Sequence, residues 1–247
     1  SEDDSREGAI ASDSVRWPSY GDVPHRICMF ETNTYECAQA VEAFQLRHGH
    51  PGLARRDSTF VIRIPGGDSV AVEDRTGDRY GVGGARYSYL GFLPSLRQHL
   101  IEVQHYEGGG YQLVDGRTGR RHEIASRPVV SPDDRRFAVF ASALDAYSSN
   151  VLEIWRVGED GVRQEWELDF AGAEAPGERA VDPVGWGPRD LTWLATDAVR
   201  VHLEVQGGRE GGVPAGDVIL RRDAEGWRFD RDPGAVADSV RPRSRGR

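Results

Sequence analysis

The residue types that do chemistry are present in this chain but scattered. Histidines stand at 25, 48, 50, 99, 105, 122 and 202. Only His48-Gly49-His50 is close-set, and His25 or Glu42 would have to complete a metal site there; polar residues in a loop after a helix explain the pair as well. Asp133-Asp134 is an acid pair of the sort that binds calcium or serves hydrolysis, yet it falls in a turn, where aspartate caps backbone amides. Glu102, Asp115 and Glu153 lie in strand-like segments. They offer carboxylates to a hydrolase acting on sugars or peptides, without a recognisable pairing for general acid–base work. No Gly-x-Ser-x-Gly elbow presents a serine nucleophile. The runs Gly81-Val82-Gly83-Gly84 and Gly108-Gly109-Gly110 link strand to strand, with no helix N-terminus to meet a phosphate. The residues point to a non-catalytic protein with no cofactor and no metal.

All 31 basic residues are arginine, for the chain has no lysine. Schiff-base chemistry and a phosphate-loop lysine are thereby excluded, and every cation is a planar fork suited to carboxylates, phosphates and aromatic faces. A net charge of -9 argues against a nucleic-acid partner. No apolar run reaches the roughly 18 residues that a membrane-spanning helix needs. The two cysteines, Cys28 and Cys37, fit no zinc motif and leave a local disulfide or two buried thiols as readings. The chain starts at Ser1 without a charged-then-apolar leader, as a mature secreted chain does, and has a single methionine. These features favour an oxidising compartment, periplasmic or otherwise extracytoplasmic, and the disulfide.

The elements that must position these residues are mostly strands. Residues 1–27 read as an extended polar arm that docks through Trp17 and Tyr20. Residues 28–52 hold one helix, expected over 34–47: Asn33 caps it with Glu36 three positions on, and Cys37, Val41 and Phe44 form an apolar stripe. Gly49, Pro51 and Gly52 end it. Residues 53–232 read as a repeat β domain, and 233–247 as a basic flexible tail.

The repeat shows in two families of segments. One is a turn rich in Asp, Gly and Arg between alternating strands, with glycines at 77, 119, 161 and 226. Its first three copies are evenly spaced, about 40 residues apart, and loops at 171–188 and 206–216 absorb the longer last interval. The other is an apolar strand before each turn: Thr59–Ile62, Leu100–Val103, Phe137–Phe140 and Leu191–Leu194, the last three following turns that contain Arg97, Arg135 with Arg136, and Arg189. A repeat of this length holding about four short strands is the mark of propeller blades. Four to five blades are expected, with the helix capping one end; an open, curved stack of hairpins is the alternative.

The run Ser131-Pro132-Asp133-Asp134-Arg135-Arg136-Phe137-Ala138-Val139-Phe140 resembles the repeat of WD40-like propellers of the TolB type, and Pro94-Ser95-Leu96-Arg97 and Gly187-Pro188-Arg189-Asp190 echo it. Asp134 stands where that family has glycine. The resemblance implies a propeller-like fold and a binding role, and brings no catalytic residue.

Aromatic and arginine side chains near loops are the residue types that anchor interfaces. Trp17, Tyr20, Tyr106, Tyr111 and Trp186 are the interface candidates, with Arg241, Arg243 and Arg245 in the tail poised for anionic headgroups or an acidic partner. The expectation is an accessory subunit that docks on other protein subunits, a photosynthetic or respiratory membrane complex being one instance. The alternatives are the hydrolase above and a carbohydrate or small-ligand binding module using the loop tyrosines.

Overall fold

The computed structural model describes residues 34–48, 52–77, 83–105, 108–142, 150–169, 186–206 and 212–240. Within them the chain is mostly β, with fifteen strands in four antiparallel sheets and two helices. Sheet I holds β1 (Leu53–Arg56), β2 (Thr59–Arg63) and β3 (Ser69–Glu73). Sheet II holds β4 (Ala85–Leu93), β5 (Gln98–His105), β6 (Gly109–Asp115) and β7 (Arg121–Ile124). Sheet III holds β8 (Val129–Val130), β9 (Arg136–Ala141), β10 (Val151–Gly158) and β11 (Gly161–Asp169), and sheet IV holds β12 (Trp186–Ala195), β13 (Ala198–Gln206), β14 (Gly212–Asp223) and β15 (Gly226–Phe229). Every sheet is an up-and-down meander with its strands in chain order.

Successive side chains of a strand point to opposite faces, and here each sheet packs at least one face on the next sheet along the chain. Phe60, Ile62 and Val72 of sheet I pack on Tyr89, Ile101 and Val114 of sheet II. The opposite face of sheet II, with Leu90, Leu100 and Leu113, meets Phe137, Val139 and Trp155 of sheet III. Ala138, Leu152 and Ile154 on the far side of sheet III meet Val199, Val201, Leu203 and Val218 of sheet IV. The two middle sheets are therefore buried on both faces, and Gln98 to Val103 in β5 are six consecutive buried residues. At about 1.5–3 kcal/mol for each large apolar side chain buried, these three interfaces dominate the stability of the fold. Sheets I and IV close the ends of the series. Their other faces show Thr59, Val61 and Arg63, and Thr192, Arg200 and His202, all at least partly open to solvent. Among the described residues, no apolar cluster joins sheet IV back to sheet I.

Gly119, Gly161 and Gly226 each occupy the third hairpin of their sheet, with φ of 71°, 104° and 128°. The first two also make close contacts that a side chain would block. A Cβ on Gly119 would lie 2.7 Å from Val70 Cγ2 of sheet I, and one on Gly161 would lie 3.2 Å from Asp115 Oδ2 of sheet II. The repeat glycine thus seats one sheet's turn against the previous sheet. Gly77 does not share this role: after β3 the chain pairs only through a bridge between Arg75 and Ala85, and sheet I has three strands.

Helix α1 (Thr34–His48) spans one residue more than its expected range. Its buried face is Ala38, Val41, Glu42 and Gln45, and not the expected Cys37–Val41–Phe44 stripe, whose outer members are only half-buried. The reason is the free edge of β4. Between Tyr89 and Gly91 a bulge leaves Leu90 without a partner on β5. Gln45 Nε2 donates to the Leu90 carbonyl at 3.0 Å, and the Tyr89 N–H donates to Glu42 Oε2 at 2.7 Å. One step along, the Tyr87 N–H donates to Asp74 Oδ1 at 2.9 Å, and Arg55 Nη1 donates to the Tyr87 carbonyl at 3.1 Å. Arg55 also bridges the two acids, 3.0 Å from Glu42 Oε1 and 2.8 Å from Asp74 Oδ2. Four side chains do here what an outer strand would do, satisfying buried backbone groups.

Two further elements depart from expectation. Leu191–Leu194 belongs to the first strand of its sheet, and the second is β13, where Val199, Val201, Leu203 and Val205 alternate with polar residues. Residues 233–238, placed in a flexible tail by composition, form a second helix, α2 (Pro233–Asp238). Asp232 caps it by accepting from the Gly234 N–H at 2.9 Å, and Pro233 and Ala237 are buried. No helix among the described residues is long and apolar enough to cross a membrane.

Candidate functional site

Hairpin turns of sheets II and III line a cleft of about 720 Å³. Pro94, Ser95 and Arg97 come from the β4–β5 turn, Asp133 to Arg135 from the β8–β9 turn, and Arg156 to Glu159 from the end of β10 and the turn after it. Leu96, fully buried, pins the first turn to the core. Ser131 braces the second: its hydroxyl donates to Asp133 Oδ1 at 2.7 Å, and it accepts from the Arg136 N–H at 3.0 Å. Asp133 also accepts from the Arg135 N–H at 3.2 Å. Burial pushes its carboxyl up, but these hydrogen bonds outweigh burial and hold it below the ordinary aspartate range. The capping role read for Asp133 is thus the one it has. Asp134 has φ of 56°, which explains why glycine suits that place in the turn. Arg97 in the β4–β5 turn and Asp57 in the β1–β2 turn share this left-handed conformation, at 56° and 51°.

The cations of the cleft are unequally occupied. Arg136 Nε sits 2.7 Å from Glu165 Oε2, which also accepts from Trp227 Nε1 at 3.4 Å. Glu165 is the extra residue of a bulge in β11, which aims its carboxylate at sheet IV, 3.3 Å from Arg222 Nε. Burial raises the Glu165 carboxyl, and the arginines and the indole more than reverse that. Arg97 Nη2 donates to the Gly158 carbonyl at 3.3 Å. Arg135 and Arg156 are exposed, and their guanidinium groups make no hydrogen bond or ion pair with the described residues.

The residues singled out from sequence are dispersed. Tyr111 lies in β6, half-buried against the sheet II–III core with Arg127 5.6 Å above its ring, and Trp186 opens β12 packed on the sheet III–IV core. Both are half-buried, Tyr111 within its strand and Trp186 at the start of its own. The loop before Tyr111 is shorter than its three glycines suggest, because Gly109 and Gly110 already pair with β5. Trp17, Tyr20, Cys28, Tyr106, Arg241, Arg243 and Arg245 lie outside the described residues.

The three candidate hydrolytic carboxylates serve different neighbours. Burial raises Glu102, and Arg127 at 3.4 Å pulls it partly back. Burial likewise raises Glu153, which accepts from Trp155 Nε1 at 2.6 Å. Asp115 is raised by burial but held low overall by the N–H groups of Arg117 and Thr118 and by Gln98. Asp115 pairs with Gln98 and Glu102 with Tyr111, four steps along the same ladder, which separates their backbones by about 13 Å. Glu42, offered as a metal ligand, is held by Arg55 and β4, while His48 Nδ1 lies 3.1 Å from the Phe44 carbonyl. The chain matches no family model, no curated protein and no solved structure.

Sequence reading noted the arginine-bearing turns but missed Arg135 and Arg156 as a site. Only the packing of sheet II beside sheet III brings Arg97 to them.

Proposed function

We propose that this chain is a non-catalytic interaction module, an extracytoplasmic accessory subunit that docks on a larger protein assembly. The observation behind this reading is the cleft between sheets II and III, lined by two exposed arginines, Arg135 on a braced turn and Arg156 near the end of β10. Rigid turns lose little entropy when a partner binds, and uncompensated arginines are the groups a partner would complement. The serial meanders and the Ser131–Phe140 run favour a propeller-like repeat with a binding role. A Cys28–Cys37 disulfide fits the same reading, tethering the segment before α1 to the helix. A photoreactive phenylalanine analogue in place of Ser95, on the cleft rim, is expected to cross-link a larger partner in native envelopes. The same group in place of Thr192, on the outer face of sheet IV, is expected to give none. Adducts from Thr192 alone, or from neither site, would overturn the reading.

A further inference from the structure

We infer that the cleft takes a peptide segment bearing carboxylates, held by Arg135 and Arg156; this rests on the docking role proposed above and names the chemistry of the partner. Four observations converge on it. Arg156 is the direct cross-strand partner of Arg136, a like-charge pair that costs stability unless an anion intervenes. Glu165 neutralises Arg136 and is shared with Arg222, so Arg156 has no acid of its own. Arg135 is its neighbour on the same ladder, since the Arg135 carbonyl accepts from the Val157 N–H at 2.9 Å. Arg97, which also lines the cleft, occupies a left-handed conformation at φ 56°, which favours glycine. An arginine there costs stability that a ligand contact would offset.

The planar guanidinium fork matches a carboxylate in two parallel hydrogen bonds. The anion is sparse in charge, because Asp133, Asp134 and Glu159 also line the cleft and the chain as a whole carries -9. A polyphosphate or nucleic acid would be repelled, whereas a segment with isolated Glu or Asp side chains would place each between arginines.

The test is fluorescence anisotropy with the full chain and two labelled dodecapeptides, one with Glu at every third position and one with Gln there. The Glu peptide is expected to bind and the Gln peptide not. Affinity is expected to fall about tenfold or more in the Arg135→Gln/Arg156→Gln double variant, and to stay unchanged in Arg221→Gln on the far face of sheet IV. Arg156→Lys keeps the charge but loses the fork, and is expected to bind several-fold more weakly than the parent. Equal binding of the two peptides, no binding of either, or parental affinity in the double variant would overturn the inference. So would displacement of the Glu peptide by inorganic phosphate at equimolar concentration. A cross-link from Ser95 without Glu-peptide binding defeats the carboxylate assignment alone; absence of that cross-link defeats the docking role itself.

Discussion

His99 shows how burial sets the behaviour of single residues in this chain. It is 2% exposed between sheets I and II, with Nδ1 2.9 Å from the Tyr89 hydroxyl and its ring against Phe92. Burial lowers its pKa to about 4, and the nearby Asp115 pulls only weakly the other way. The unfolded chain takes up this proton near 6.5 and the folded chain near 4, so the unfolded state binds more protons between those values. Stability from the neutral imidazole is therefore complete above pH 6.5 and lost as pH falls towards 4. The buried glutamates Glu42, Glu102 and Glu153, all raised, tilt the slope the other way. The comparison must accordingly be made with a variant. In urea melts at pH 7.5 and 4.5, the parent is expected to lose about 2–3 kcal/mol more than His99→Gln; superimposable pH profiles would contradict the assignment. Arginine-only usage has a visible consequence at the same scale. Arg97 reaches Gly158, Arg121 reaches Ala71 and Arg136 reaches Thr196, each donating to a carbonyl of the neighbouring sheet.

At the scale of elements, the meander turns and the α1 clip decide how sheets join. Replacing Gly119 with Ala adds both left-handed strain and a clash with Val70, and is expected to cost about 2–4 kcal/mol. Gly83→Ala, at a similar φ of 78° but with open space where a Cβ would stand, is expected to cost only about 1–2 kcal/mol. Equal costs in thermal melts would show that the turn is not seated on sheet I. Glu42→Ala orphans the Tyr89 N–H and leaves Arg55 with Asp74 as its one acid, and is expected to cost about 2–4 kcal/mol; a loss below 0.5 kcal/mol by urea denaturation would show that α1 does not clip β4. If Cys28 and Cys37 pair, reduction adds two hydrogen atoms to the mass, and an unchanged mass contradicts the pairing. Much of this level was legible in the sequence. The helix followed from its capping residues, and three of the four turn glycines lie where the repeat placed them. The clip was not legible, because side-chain patterns say nothing of which strand edge lacks a partner. The displaced strand at 191–194 failed for another reason: β12 and β13 both alternate, and only the tight Thr196–Asp197 turn tells which is second. The short helix α2 was masked by its arginine-rich surroundings.

For the whole molecule, the order of sheets I to IV along the chain is also their order in space, so contacts stay between chain neighbours. Such serial packing is the contact pattern of a repeat array, and among the described residues Arg63 of sheet I and Arg200 and His202 of sheet IV lie on the two faces that no described sheet covers. The cleft belongs to this scale, being built from turns of two sheets that no single repeat contains. Arg97 and Arg135 were visible in the sequence as turn residues and Arg156 as part of a strand, but their convergence depends on packing. The most direct measurement is the native size of the chain in gently solubilised envelopes, followed with an antibody. The parent chain is expected to migrate within a large assembly, and the folded Arg135→Gln/Arg156→Gln variant near its own 27.3 kDa. A parent chain that itself migrates alone at that size would contradict the docking role.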